Sequence, residues 1–221
     1  MVDVRQVWRN PVFGAIGARV YDAVLDRPAI ARRAGRAMWG CDTDLMYAAM
    51  DIVNEIPGGA SVLDLPVGGG VTLRRLDPVQ KVRYVAADIS DDQLSAARRI
   101  AERHGVPGVE YVRADVVDLP FSDDEFDLVV TFAGLHCMPD PGAAIASLAR
   151  VLRPGGTLAG SCVVAGVATR YDRQIQALAT VGVFGPASTA EELQGWLADA
   201  GLRRDEFECN GSLAQFVAVK S

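Results

Sequence analysis

The chain has 221 residues, half of them apolar and 23% charged, enough for one α/β domain with a proper core and too few for two comfortable ones. A net charge of −6 argues against the basic face that nucleic-acid binding needs, and no apolar run reaches the roughly 20 residues that span a bilayer. Asp3, Arg5 and Arg9 break up the N-terminus, so it does not read as a secretory signal. Cys41, Cys137, Cys162 and Cys209 lack C-x-x-C spacing, and the chain has two histidines. Free thiols in a reducing cytosol are therefore expected, with no metal site. The composition predicts a soluble cytoplasmic protein.

Residues 1–59 read as helical, without strand-like alternation. Asp42-Thr43-Asp44 offers a cap for a helix through Leu45, Met46, Ala49, Ile52, Val53 and Ile56, which Pro57-Gly58-Gly59 stops. From residue 60 short apolar runs alternate with helical stretches. The runs are Ser61–Leu65, Val82–Ala87, Val109–Val112, Asp127–Thr131 and Thr157–Val164. Helices are predicted near Gly70–Leu76, Asp91–His104, Pro141–Leu152 and Thr189–Ala200, the last opened by Ser188-Thr189 and stopped by Gly201. Such alternation predicts a doubly wound parallel sheet covered by helices. Two further strands, Arg204–Cys209 and Leu213–Val219, flank the turn dipeptide Asn210-Gly211 and predict an antiparallel hairpin.

The richest stretch is Val62-Leu63-Asp64-Leu65-Pro66-Val67-Gly68-Gly69-Gly70, a buried strand that ends in an acid and then a glycine run. Glycines let the backbone take unusual dihedrals and approach a ligand closely. In open α/β sheets such a loop lies where ligands bind. Tyr84-Val85-Ala86-Ala87-Asp88 is a second strand ending in an acid, 20 residues beyond Gly68. A carboxylate there can accept both ribose hydroxyls of an adenosine cofactor; alternatively it caps the helix that follows. A third glycine of a dinucleotide fingerprint would fall at position 73, which holds Leu73, and no phosphate-binding P-loop is present. An acid in the loop suits a cofactor without phosphates but with a charged amino group. S-adenosylmethionine (SAM) has both properties.

Leu63-Asp64-Leu65-Pro66-Val67-Gly68-Gly69-Gly70 resembles the first motif of class I SAM-dependent methyltransferases, LDLGCGTG. Arg113-Ala114-Asp115-Val116-Val117-Asp118-Leu119-Pro120-Phe121 is similar to the third motif of their type 11 group, which includes ubiquinone and menaquinone-biosynthesis C-methyltransferases. Phe126–Thr131 resembles its fourth strand, His136-Cys137-Met138-Pro139-Asp140-Pro141 its H-H-x-P-D-P segment, and Arg150–Leu158 its R-x-L-[KR]-P-G-G-x-L signature. The likeness covers roughly residues 60–160. It implies a Rossmann-like, mostly parallel seven-stranded sheet with a C-terminal antiparallel hairpin, residues 60–221 forming the SAM domain and residues 1–59 its helical cap or lid.

The resemblance also implies roles. Asp64 would meet the methionine amine, directly or through water, and Gly68 and Gly70 would admit the methionine and ribose. Asp88 would bind the ribose hydroxyls, Ile89 and the Val116 backbone would flank the adenine, and Asp115 would accept from its exocyclic amine. Thr131 and Phe132 would border the sulfonium. Pro66 departs from the family's glycine, keeping its carbonyl but losing an N–H. His136 is the candidate catalytic base, with pocket-shaping as its other reading. An acceptor pocket is expected from Phe13, Tyr21, Met38, Trp39 and Tyr47, together with Tyr171, Gln174 and Phe184 between residues 167 and 186, although each could equally be core. Arg32, Arg33 and Arg36 form a basic cluster that reads as a solvated helix face, with contact to an acidic substrate group as its other reading.

The expected function is methyl transfer from SAM to a small apolar acceptor, such as a quinone, lipid or secondary metabolite. No nucleic acid and no membrane insertion are expected, and a homodimer is admitted. Two alternatives stay open: a non-catalytic SAM-binding or regulatory subunit, and an NAD(P)-dependent oxidoreductase.

Overall fold

Alternation along the central strands sorts the core into two layers. The computed structural model describes residues 4–9 and 27–221. Its strands are β1 (Ser61–Asp64), β2 (Arg83–Asp88), β3 (Glu110–Arg113), β4 (Phe126–Thr131), β5 (Leu152–Val163), β6 (Leu202–Asn210) and β7 (Leu213–Lys220). The helices are α1 (Val4–Arg9), α2 (Pro28–Trp39), α3 (Thr43–Met50), α4 (Asp91–His104), α5 (Pro141–Val151), α6 (Thr169–Thr180) and α7 (Ala190–Asp199). Successive side chains in a strand point to opposite faces. Leu63, Val85, Ala87 and Val129 therefore meet α5 and α7 through Ile145, Leu148, Leu193 and Leu197. Val62, Tyr84, Ala86, Leu128 and Val130 meet α3, α4 and α6 through Met46, Met50, Leu94, Ile100 and Ile175. Each fully buried leucine of this kind contributes about 2 kcal/mol.

The strands form one sheet in the order β3-β2-β1-β4-β5-β7-β6. The pairs of β1 with β2, β1 with β4, β2 with β3 and β4 with β5 are parallel; β7 runs antiparallel to β5 and to β6. The doubly wound sheet and the closing hairpin are both as expected from the sequence. Because the chain leaves β1 for β2 on one side and later returns to β4 on the other, the strand order reverses between β1 and β4. Loops at their carboxyl ends diverge there and leave a crevice.

The capping signals act locally as read. Asp42 accepts from the Asp44 N–H at 3.1 Å, and Thr189 and Glu192 close a capping box at the start of α7. Gly40 and Gly105 end α2 and α4 in the left-handed conformation. Three expectations need correction. The helix predicted near 70–76 is only a 3-10 turn, Thr72–Arg74. Gly70 at φ +83° cannot open a helix, and Pro78 biases Asp77 away from helical geometry. The fifth strand begins earlier than Thr157, because Leu152 already pairs with Phe126 across a register shift. Finally, α6 occupies part of the 167–186 stretch, for which no helix was predicted; Tyr171 and Ile175 form its buried stripe.

Candidate active site

The loop after β1 is held by three backbone bonds: Leu65 N–H to Val130 O at 3.0 Å, Val67 N–H to Ala87 O at 2.9 Å and Gly70 N–H to Val67 O at 2.9 Å. It therefore sits over the ends of β2 and β4. The Leu65–Pro66 peptide is cis. A Cβ built on Gly134 would lie 2.2 Å from Pro66 Cδ, so the loops after β1 and β4 touch through a glycine and a proline ring.

A cavity of about 540 Å³ opens at this switch point. One end is lined by Val67, Gly68, Gly69, Asp88, Ile89, Gln93, Ala114, Asp115 and Val116, around the ends of β1, β2 and β3. The other is enclosed by Met38 and Trp39 of α2, Met46 of α3, and His136, Phe184 and Leu213. Trp39 stacks on Phe184 with ring centroids 5.8 Å apart. The imidazole of His136 meets the same phenyl ring edge-on at 4.5 Å.

Asp88 anchors the polar end. Its Oδ2 accepts from the Gly68 N–H and its Oδ1 from the Ser90 N–H, both at 3.0 Å. Burial nonetheless raises its pKa to about 6, with the amide bonds of Ser90, Gly68 and Ile89 opposing the rise. The reading of Asp88 as a local cap was partly right, since it ties down the turn that enters α4. Gly68 has φ +52°, and a Cβ there would meet nothing within 4 Å. The loop thus presents bare backbone to the open space. Gln93 Oε1 is buried on the lining without a hydrogen-bond partner among the described residues.

Several sequence-predicted residues lie elsewhere. Asp64 does not line the cavity; it is buried, and its Oδ2 accepts from Tyr84 Oη at 2.8 Å. Burial raises its pKa to about 7, opposed by the bonds from Tyr84 and Thr72 and reinforced by the charge of Asp88. Gly70 also faces away, because a Cβ there would press on Ala97 of α4 at 3.0 Å. Its absent side chain serves packing rather than cofactor approach. Thr131 is buried under the β4 loop against Gly160 and is not part of the lining, whereas its neighbour Phe132 is. Tyr171 is likewise no lid residue. It is buried against Gly40, with its hydroxyl bonded to Arg170. Tyr47 and Gln174 also stay off the lining. Phe13 and Tyr21 lie outside the described residues. Arg32 and Arg36 form half-exposed ion pairs with Asp44 and Asp42, as a solvated helix face would.

Asp115 does line the polar end, and α1 lies over it. Arg5 and Arg9 approach its Oδ2 at 3.5 and 3.4 Å, while Trp8 Nε1 donates to Val183 O at 3.0 Å. The six-residue α1 so connects the two sides of the cavity mouth. Nothing local in Val4–Arg9 signals this role; it comes from contacts more than a hundred residues away in the chain.

His136 follows β4 in a 3-10 turn, Leu135–Cys137. Its Nδ1 accepts from the Val163 N–H at 3.1 Å, and burial lowers its pKa to about 4. Burial also pushes the neighbouring Cys137 thiol far up, and that of Cys162 up to about 12, so both remain protonated. All four cysteines are unpaired.

Residues 63–160 match the family model of a methyltransferase domain. The first and fourth strand ends that build the cavity both fall within this stretch. Over 103 residues the chain is 40% identical to the ubiquinone/menaquinone biosynthesis C-methyltransferase of Shewanella piezotolerans, covering 45% of this chain and 41% of that one. It is 36% identical over 103 residues to the phthiotriol/phenolphthiotriol dimycocerosates methyltransferase of Mycobacterium tuberculosis, covering 45% and 36%. The matched stretch is thus less than half the length of these relatives. A solved candidate methyltransferase of Bacillus halodurans superposes with a TM-score of 0.65 at 28% identity, covering 74% of this chain and 71% of that one. The matched segment supplies the polar end of the cavity and His136; the segments outside it, α1, α2, α3 and the loop after α6, supply most of the apolar end.

Proposed function

We propose that this chain is an enzyme that transfers a methyl group from SAM to a small apolar acceptor, of the quinone, lipid or secondary-metabolite kind. The observation that carries the reading is a single cavity whose two ends differ in chemistry. The polar end fits an adenosine-bearing cofactor. Gly68 leaves bare backbone facing open space, Gln93 Oε1 is an unpartnered acceptor, and Asp88 keeps acceptor capacity beyond its amide bonds.

When bound, SAM supplies a sulfonium methyl group that is already electrophilic, so position and dryness are the main tasks left to the protein. Asp88 would accept from the ribose hydroxyls, Ile89 and Val116 would flank the adenine, and Asp115 would accept from its exocyclic amine. Gly68 would admit the methionine portion, with Asp64 holding the loop from behind through Tyr84. Phe132 would border the reacting end. Trp39 and Phe184, with α2, would exclude water from the acceptor.

The names of the matched relatives, acting on quinone and lipid compounds, support an apolar acceptor. They favour transfer over a purely regulatory SAM-binding role, and the missing third glycine disfavours NAD(P). We further place the protein in the cytoplasm, a reading its unpaired cysteines support. Among the described residues no helix is long and apolar enough to cross a membrane. Incubation with SAM labelled in its methyl group and a panel of quinones, phenols and lipids should move label into an extractable product. Calorimetry showing no SAM binding, with NAD bound instead, would overturn the proposal.

A further inference from the structure

The acceptor end of the cavity holds very little polar chemistry. Its walls are Met38, Trp39, Met46, Val183, Phe184 and Leu213, and the charged residues on the lining, Arg5, Asp88 and Asp115, are grouped at α1 and the ends of β2 and β3. The uncharged polar groups among these walls include the Trp39 indole N–H, Thr43 and His136. Thr43 Oγ1 is buried without a hydrogen-bond partner among the described residues. His136 is 9% exposed.

A neutral imidazole carries one N–H and one lone pair. The Val163 N–H can only donate, so Nδ1, which accepts from it at 3.1 Å, must be the unprotonated nitrogen. The ring proton then sits on Nε2, for which no described residue serves as acceptor. Burial keeps the ring neutral down to about pH 4. A base needs a free lone pair, and this histidine has spent its own on the β5 backbone. What it offers the cavity is a donor.

Resting on the reading of the cavity as a methyltransferase site, we propose that His136 is a positioning residue whose Nε2–H binds an oxygen of the acceptor. An acceptor with a phosphate or ammonium group would find no counter-charge among these walls, and burying such a group unpaired is costly. A pure hydrocarbon would leave the imidazole N–H unmade, which is also unfavourable. A single oxygen on an apolar frame meets both conditions.

The test uses 1-tetralone and tetralin, which share a bicyclic frame and differ in one carbonyl. Their dissociation constants are measured by equilibrium dialysis with the whole protein in the presence of SAM. His136→Phe should lower the tetralone-to-tetralin affinity ratio about three- to tenfold, the worth of one neutral hydrogen bond. His136→Gln, which can still accept from Val163 and donate into the cavity, should restore much of it. Comparing ratios cancels any general loosening of the pocket. For wild-type protein, long-range ¹⁵N NMR of the two histidines should place the His136 proton on Nε2. A proton on Nδ1, no measurable tetralone binding, or a ratio unchanged in His136→Phe would overturn the inference while leaving the methyltransferase reading intact. Absence of SAM binding to the wild type would instead overturn that reading.

Discussion

Asp88 combines two opposed influences on one carboxyl group. Burial favours the neutral acid, while the Gly68, Ser90 and Ile89 amides favour the anion, and burial prevails enough to leave its pKa at about 6. If the anion accepts from ribose hydroxyls, its removal costs charge-assisted hydrogen bonds. Asp88→Ala should weaken SAM about ten- to hundredfold in calorimetry. In the wild type, SAM affinity should fall as pH drops through about 6, because the protonated group accepts less well. Affinity that stays flat from pH 5 to 8 would count against the ribose assignment. The identity of this acid was legible from its place at a strand end. Its titration was not, because that depends on how completely the neighbouring strands and α4 exclude water.

The crevice depends on how the elements after β1 and β4 meet. Pro66 replaces the family's glycine, and Gly134 makes room for it: a Cβ at 134 would lie 2.2 and 2.5 Å from the proline ring. Gly134→Ala should therefore lower the melting temperature by several degrees and weaken SAM binding, since one loop must shift. Pro66→Gly should remove the clash, so the double variant should recover most of the loss beyond the simple sum of the two changes. Additive effects would mean that the loops do not bear on each other. The proline was visible as an irregularity in the sequence, but its partner was not, because the two residues are far apart in the chain. Elements with local signals, such as α7 with its Thr189–Glu192 box, were legible for the opposite reason: cap and helix are neighbours. The α6 helix had the spacing of Tyr171 and Ile175 but no strong cap, its N-cap Ala168 making no side-chain bond.

For the molecule as a whole, the buried acids behind the β1 loop act on stability. Asp64 has a folded pKa of about 7 against an ordinary 3.8, with burial as the largest cause. The folded state therefore holds this proton more tightly than the unfolded chain. The stability it contributes is fully present below about pH 4 and is lost as pH rises through about 7. Asp64→Asn cannot titrate and keeps an oxygen for Tyr84 Oη. Its melting temperature relative to wild type should rise steadily between pH 4 and 8. A constant difference across that range would show that Asp64 is not buried as an acid. Asp127, whose carboxylate is held below the usual range despite burial by Ser61 and Arg153, contributes the opposite slope at lower pH, so the comparison with wild type isolates Asp64.

By itself the sequence determined the sheet, because short apolar runs and their alternation with helical stretches are written in neighbouring residues. It also determined the ligand end of that sheet, because a strand, an acid and a glycine run follow one another directly. Only the tertiary structure decided which of those residues face the cavity. It turned Asp64 and Gly70 inward, buried Tyr171 against Gly40, and laid Arg5 and Arg9 over Asp115. It also set His136 against the Val163 amide, which makes that ring a donor rather than a base. These outcomes rest on packing between segments distant in the chain, where no local spacing records which atoms will meet.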